Sequence, residues 1–214
     1  MEVLEKTGAD MVLCYWEYYP ATHSKKISLR LPNRFKNREL FQWLLKSHRN
    51  WYACMTPLYR RKLLGNKIKW DESLLLDTDF QFRVALEEPQ VAVIKETLCT
   101  YRLVELESKR CPEYVILFAK DTLKAYKKLV PHLKNSVENC LLARRIYKVA
   151  RTIYDFEPEV YEEATRIALS LCPDFEPDES LLFRLTYKFL GRRLTEKLAS
   201  LKRRVLRLVK PIKL

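Results

Sequence analysis

From about residue 113 onward the chain places apolar side chains at intervals of three and four, broken only by short proline-containing stretches. That is the period of an amphipathic helix. Before about residue 103 the pattern differs: runs of β-branched and aromatic residues alternate with shorter helical stretches. Such a chain can build a sheet only in its first half. The expected fold is therefore α/β, a partial sheet with helices, followed by an all-α C-terminal region, with 1–110 and 111–214 as the two parts. Only 3 Gly stand against 10 Pro, and long stretches are rich in Leu, Lys, Arg and Glu, which favours helix over barrel or sandwich.

Within the first part, the opening reads as the end of a helix stopped at Gly8, followed by a strand over 11–18. Residues 21–37 are polar and basic, and suggest a loop or hairpin. Helical spacing recurs over 38–48, and the chain turns helical again after Pro57. A short helix is expected over 77–86, and 90–103 reads as a strand followed by an extended stretch. Three amphipathic helices fill most of 113–172, and one or two more follow.

Charge is concentrated at one end. Residues 1–110 hold 19 basic and 14 acidic side chains, residues 111–187 hold 11 and 12, and residues 188–214 hold 10 and 1. A nucleic-acid-binding domain carries its charge on the folded face, so the near-neutral body argues against nucleic acid as a partner. In the tail, Leu190, Leu194, Leu198, Leu201, Val205 and Leu208 recur at spacings of 3 and 4 with Lys and Arg opposite. Two readings stay open: a helix lying on an anionic membrane surface, or a charged helix packed on its own domain.

No stretch of about 18 uncharged apolar residues occurs, and the N-terminus lacks the apolar core of a secretory signal. Cysteines 14, 54, 99, 111, 140 and 172 are scattered without a CxxC pair, so reduced thiols are expected. The expected location is the cytoplasm, with peripheral contact at the inner face of the membrane.

The stretch WDESLLLDTDFQFRVAL sets Asp71, Glu72, Asp77 and Asp79 in apolar surroundings. They read either as helix caps and solvated turn residues or as groups that hold a reacting hydroxyl.

The order WDESL (70–74), DTDFQFR (77–83), a strand, then YRLV (101–104) resembles the acceptor-side half of family 2 glycosyltransferases, which have the GT-A fold. The resemblance covers about residues 1–110. It implies inverting transfer of a sugar from a nucleotide-sugar to a saccharide or lipid-linked acceptor. Counting back from Arg83, the family's catalytic Asp falls on Asp77, the implied general base. Asp79 and Arg102 would then bind the acceptor, and a gap shifted by two residues would exchange the roles of Asp77 and Asp79. Trp51 and Tyr52 stand where an aromatic platform for the acceptor would be useful, or they pack in the core or rim.

The sequence also departs from the family. The His of its Tyr-Arg-x-His is Val104 here, and Leu76 stands where many relatives have Glu. The family's Asp-x-Asp, which binds a divalent cation (Mg²⁺ or Mn²⁺) and the donor diphosphate, is expected upstream of the first residue. The literal DTD at 77–79 is in the wrong place for it. The expectation is thus an N-terminally truncated transferase, inactive by itself or active only with a partner that supplies the missing half. The alternative is a non-catalytic helical interaction protein carrying a degenerate transferase remnant.

Overall fold

In the computed structural model, which describes residues 2–19, 31–46, 55–65, 67–70, 77–102 and 111–209, Gly8 turns the chain out of α1 (Glu2–Thr7) into β1 (Met11–Tyr19). Its φ of 66° lies in the left-handed region that a side chain disfavours. The chain continues through β2 (Arg34–Phe35), α2 (Glu39–Lys46), β3 (Leu58–Tyr59), the single turn α3 (Arg61–Leu64), α4 (Thr78–Leu86) and β4 (Val91–Arg102). The four strands form one mixed sheet in the order β2-β4-β1-β3. β1 and β4 are parallel, with Met11 opposite Val91 and Cys14 opposite Ile94. The register then slips, so that Tyr15 faces Thr97 and Trp16 faces Cys99.

Strand alternation divides the apolar residues between the two faces of the sheet. Val12 packs with Leu4 and Ala9, with Ala92 and Ile94 alongside, while Met11 and Leu13 turn to the opposite face and are fully buried. α2 buries Leu40, Phe41, Leu44 and Leu45, the face its spacing predicted. Phe82 of α4 stands edge-on to Phe41 and to Tyr126, with ring centroids 5.8 and 6.0 Å apart.

The helix expected directly after Pro57 is corrected in one detail. Leu58 and Tyr59 first pair with the free edge of β1, and Arg60 extends that pairing by donating its amide to the Asp10 carbonyl at 2.8 Å. Only then does α3 form, and Gly65 ends it at a φ of 51°. An open strand edge offers unpaired donors and acceptors that outweigh one turn of weak helix. The Arg60 guanidinium donates to the Leu4 and Ala9 carbonyls at 2.5 and 2.7 Å, which satisfies groups that the end of α1 leaves open.

The chain divides into two units: Met1–Arg110 with Lys124–Lys134, and Cys111–Leu123 with Asn135–Leu214. The region from 111 onward is therefore not a single appendage. The later turns of α5 (Pro112–Leu129) and the 3₁₀ turn Val130–His132 belong with the first unit, where Tyr126 meets Phe82.

In the second unit, α6 (Ser136–Thr152) and α7 (Pro158–Leu171) precede α8 (Leu181–Val209). Asn135 caps α6 by accepting the Glu138 amide at 2.9 Å. Ala164 and Ala168, one turn apart, are buried on α7. Tyr147 is fully buried and meets the rings of Tyr161, Phe175 and Tyr187. The expectation of six reduced thiols is corrected here. Cys140 and Cys172 form a disulfide, their Cα atoms 5.0 Å apart, because helix packing closes a 32-residue separation that spacing alone does not reveal. In the first unit, Cys14 and Cys99 remain thiols with sulfurs 3.7 Å apart. Burial, with Cys99 beside it, pushes the Cys14 thiol up to about 11. Among the described residues no helix is long and apolar enough to cross a membrane.

Candidate functional site

α4 begins where the acidic motif predicted. Asp77 stands immediately before it with helical backbone angles, φ −67° and ψ −9°. Its side chain does not cap the helix. Instead the carboxylate accepts a hydrogen bond from the Gln81 side-chain amide, one turn further on, at 3.0 Å. Burial pushes the Asp77 carboxyl above its usual range, and the Gln81 donor only partly offsets this. Among the described residues no cation pairs with it.

Asp79 is different. Its side chain is 4% exposed and lies between two cations, Arg83 Nε at 2.7 Å and Lys128 Nζ at 3.2 Å. Arg83 is itself held, donating to the Lys69 carbonyl at 2.6 Å. Asp79 thus ties α4 to the last turns of α5, both within the first unit.

An aromatic cluster gathers around Phe80, three residues after Asp77 and on the same side of the helix. The Phe80 ring lies 4.6 Å from that of Trp70, tilted by 34°, and 6.0 Å edge-on from that of Tyr59. Trp70 remains 48% exposed, so one wall of the cluster is open to a ligand. An exposed aromatic face can cover C–H groups of a ligand, and a carboxylate can accept a hydroxyl.

Sequence reasoning placed the platform at Trp51 and Tyr52, which lie outside the described residues. Arg102 ends β4 with its backbone opposite Tyr19, and its side chain also lies outside the described residues. Tyr59, Trp70 and Phe80 were missed. Phe80 could have been found by helical spacing from Asp77, whereas Trp70, though within the acidic stretch, and Tyr59, through β3, join it only by tertiary packing.

Among the described residues, those here do not suit a divalent cation. Both Asp79 oxygens already face cations, so Asp77 and Asp79 offer no pair of free carboxylates. A separate cleft of about 500 Å³ lies near the other end of α4, lined by Arg38, Lys67, Arg83, Glu87, Glu88 and Lys134 among others. Its charges are largely paired internally: Lys134 meets Glu88 at 2.6 Å and Arg38 meets it at 3.5 Å. Together, Lys134 first, they hold the Glu88 carboxyl below its usual range. No family model and no curated protein matches the chain.

Proposed function

We propose that the first unit carries the acceptor-side site of a family 2-like, GT-A-type glycosyltransferase that works with inversion on a saccharide or lipid-linked acceptor. In this reading the acceptor hydroxyl rests between Asp77 and the Trp70–Phe80 face. Asp77 takes the hydroxyl proton as the oxygen attacks the anomeric carbon of a nucleotide-sugar, and the nucleoside diphosphate departs. A carboxyl above its usual range is the stronger base for that step. No step here runs through a metal ion, since the residues described do not suit one.

One observation carries the reading. Of the two acids in the motif, Asp79 is occupied by two cations, whereas among the described residues Asp77 meets the Gln81 amide and no cation. The motif count assigned the base to Asp77, and the surroundings of the two acids agree with it.

The test follows nucleoside diphosphate release from a panel of UDP-, GDP- and dTDP-sugars with lipid-linked and oligosaccharide acceptors, using the parent chain and Asp77→Asn. Release that depends on acceptor and disappears in Asp77→Asn supports the assignment. Release at the parental rate in the variant removes Asp77 as the base. The second reading, a non-catalytic helical interaction protein with a transferase remnant, is favoured by the helical unit, whose final helix keeps an apolar face uncovered. Folded protein that binds neither oligosaccharide nor lipid-linked acceptor would select it.

A further inference from the structure

α8 is built inside out. Gly191, at φ 73° and ψ 168°, breaks it into 181–190 and 192–209. In the second segment the buried side chains are polar: Thr195 is 1% exposed, Glu196 0% and Ser200 6%. The apolar ones face outward, with Leu194 at 53%, Leu198 at 51%, Leu201 at 60% and Val205 at 48% exposure. At 3.6 residues per turn these four fall within roughly a sixth of the helix circumference, opposite the buried polar stripe.

Specific bonds hold that orientation. Glu196 accepts hydrogen bonds from Tyr147 at 2.8 Å and from Arg151. Ser200 donates to Asp155, and Arg203 pairs with the same carboxylate at 3.0 Å. The first segment likewise exposes Leu182, Leu185 and Phe189.

Charge identifies the occupant. The only acid among residues 188–214 is Glu196, and it is turned fully inward onto Arg151. What α8 presents outward is an apolar stripe with Arg193, Lys197 and Lys202 exposed alongside it. A protein partner or a second copy of so basic a face would have to supply acids around an apolar centre. This chain's own copy would bring cation against cation. An anionic bilayer supplies both complements at once, acyl chains for the leucines and phosphate headgroups for the cations.

We infer that α8 is a docking helix that lies on an anionic membrane surface, with its leucine stripe inserted at the headgroup boundary. Its polar face remains latched to α6 and to the turn after it. This holds whether or not the first unit is a transferase.

The test is co-sedimentation of the full chain with vesicles of mixed phosphatidylcholine and phosphatidylglycerol, against pure phosphatidylcholine. Binding is expected only to the mixed vesicles, and it should fall steeply with added salt. Arg193→Gln and Lys197→Gln should each weaken it by about fivefold. The double variant Leu198→Asp, Leu201→Asp should abolish it while the melting curve stays parental, since both side chains are already exposed. Failure of the folded parent to bind the mixed vesicles overturns the inference, as does binding that survives the double variant. A dimer in solution that the double variant dissolves would also overturn it and give the face to a second copy.

Discussion

Asp77 and Asp79 stand two residues apart at the start of α4 and meet opposite surroundings among the described residues: two cations flank Asp79, and the Gln81 amide but no cation meets Asp77. The same substitution should therefore act differently at each. Asp79→Asn leaves Arg83 and Lys128 without their shared carboxylate. Both cations retain solvent, 29% and 42% of their side chains being exposed, so the cost falls below that of a fully buried pair, about 1–3 kcal/mol. Asp77→Asn keeps a hydrogen-bonding partner for Gln81 and removes a carboxylate that burial disfavours. It should unfold in urea at or above the parental midpoint and lose transfer activity.

A pH dependence follows from Asp77. Burial raises its carboxyl in the folded chain above the unfolded value, which is about 3.9 for an ordinary Asp. This group's contribution to stability is therefore fully present below that value and is lost as pH rises through the higher folded one. Urea midpoints taken below and above the ordinary carboxylate range should show the parent losing stability relative to Asp77→Asn as pH rises. Activity should follow the opposite course and appear as Asp77 ionises. A single acidic inflection in rate, displaced above the usual carboxylate range, is the expected profile. Equal pH slopes in the two proteins would separate Asp77 from both effects.

The Cys140–Cys172 bridge should matter to the second unit alone. Closing a 32-residue separation constrains the unfolded chain by about 3–4 kcal/mol in the chain-entropy account. Thermal unfolding with and without a thiol reductant should show the helical transition moving down on reduction. Cys140→Ser should reproduce that shift and make the protein indifferent to the reductant.

Gly191 breaks α8 in a backbone region that only glycine visits freely. A Cβ there would meet nothing within 4 Å, so Gly191→Ala tests conformation without a clash. It should cost about 1–3 kcal/mol if the break is kept. A gain in helical circular dichroism with no loss of stability would mean that the segments join instead.

How much of this was legible in the sequence depended on the range of the interaction. β1, α2 and α4 were readable to within two residues at each end, and β4 at its start, because their periods are local. Asp77 at the head of α4 followed from the same period. Tyr59 was not readable as a neighbour of Phe80, because β3 exists only through the edge of β1. The Cys140–Cys172 bridge was hidden for the same reason, since helix packing sets the distance between its Cα atoms. For α8, periodicity revealed two faces but could not say which one turns inward. The general rule that an apolar stripe faces the core would have chosen the wrong side, because Tyr147, Arg151 and Asp155 sit on a different helix and turn.

That reversal makes the most discriminating prediction. In an ordinary amphipathic helix, replacing a leucine costs stability and replacing a charged residue does not. α8 should behave the other way round. Glu196 is fully buried, its carboxylate takes the Tyr147 hydroxyl and the Arg151 guanidinium, and Arg151 keeps Glu179 as a second partner. Glu196→Gln removes the charge from a site without water and leaves Arg151 half-neutralised, at about 2–3 kcal/mol. Tyr147→Phe removes one hydrogen bond and leaves the ring packing intact, at about 1–2 kcal/mol. Leu198→Ser, on the opposite face, should stay within about 0.5 kcal/mol of the parent. Urea unfolding of the three variants decides the matter: if Leu198→Ser proves more costly than Glu196→Gln, the leucine stripe is covered and the orientation of α8 is wrong.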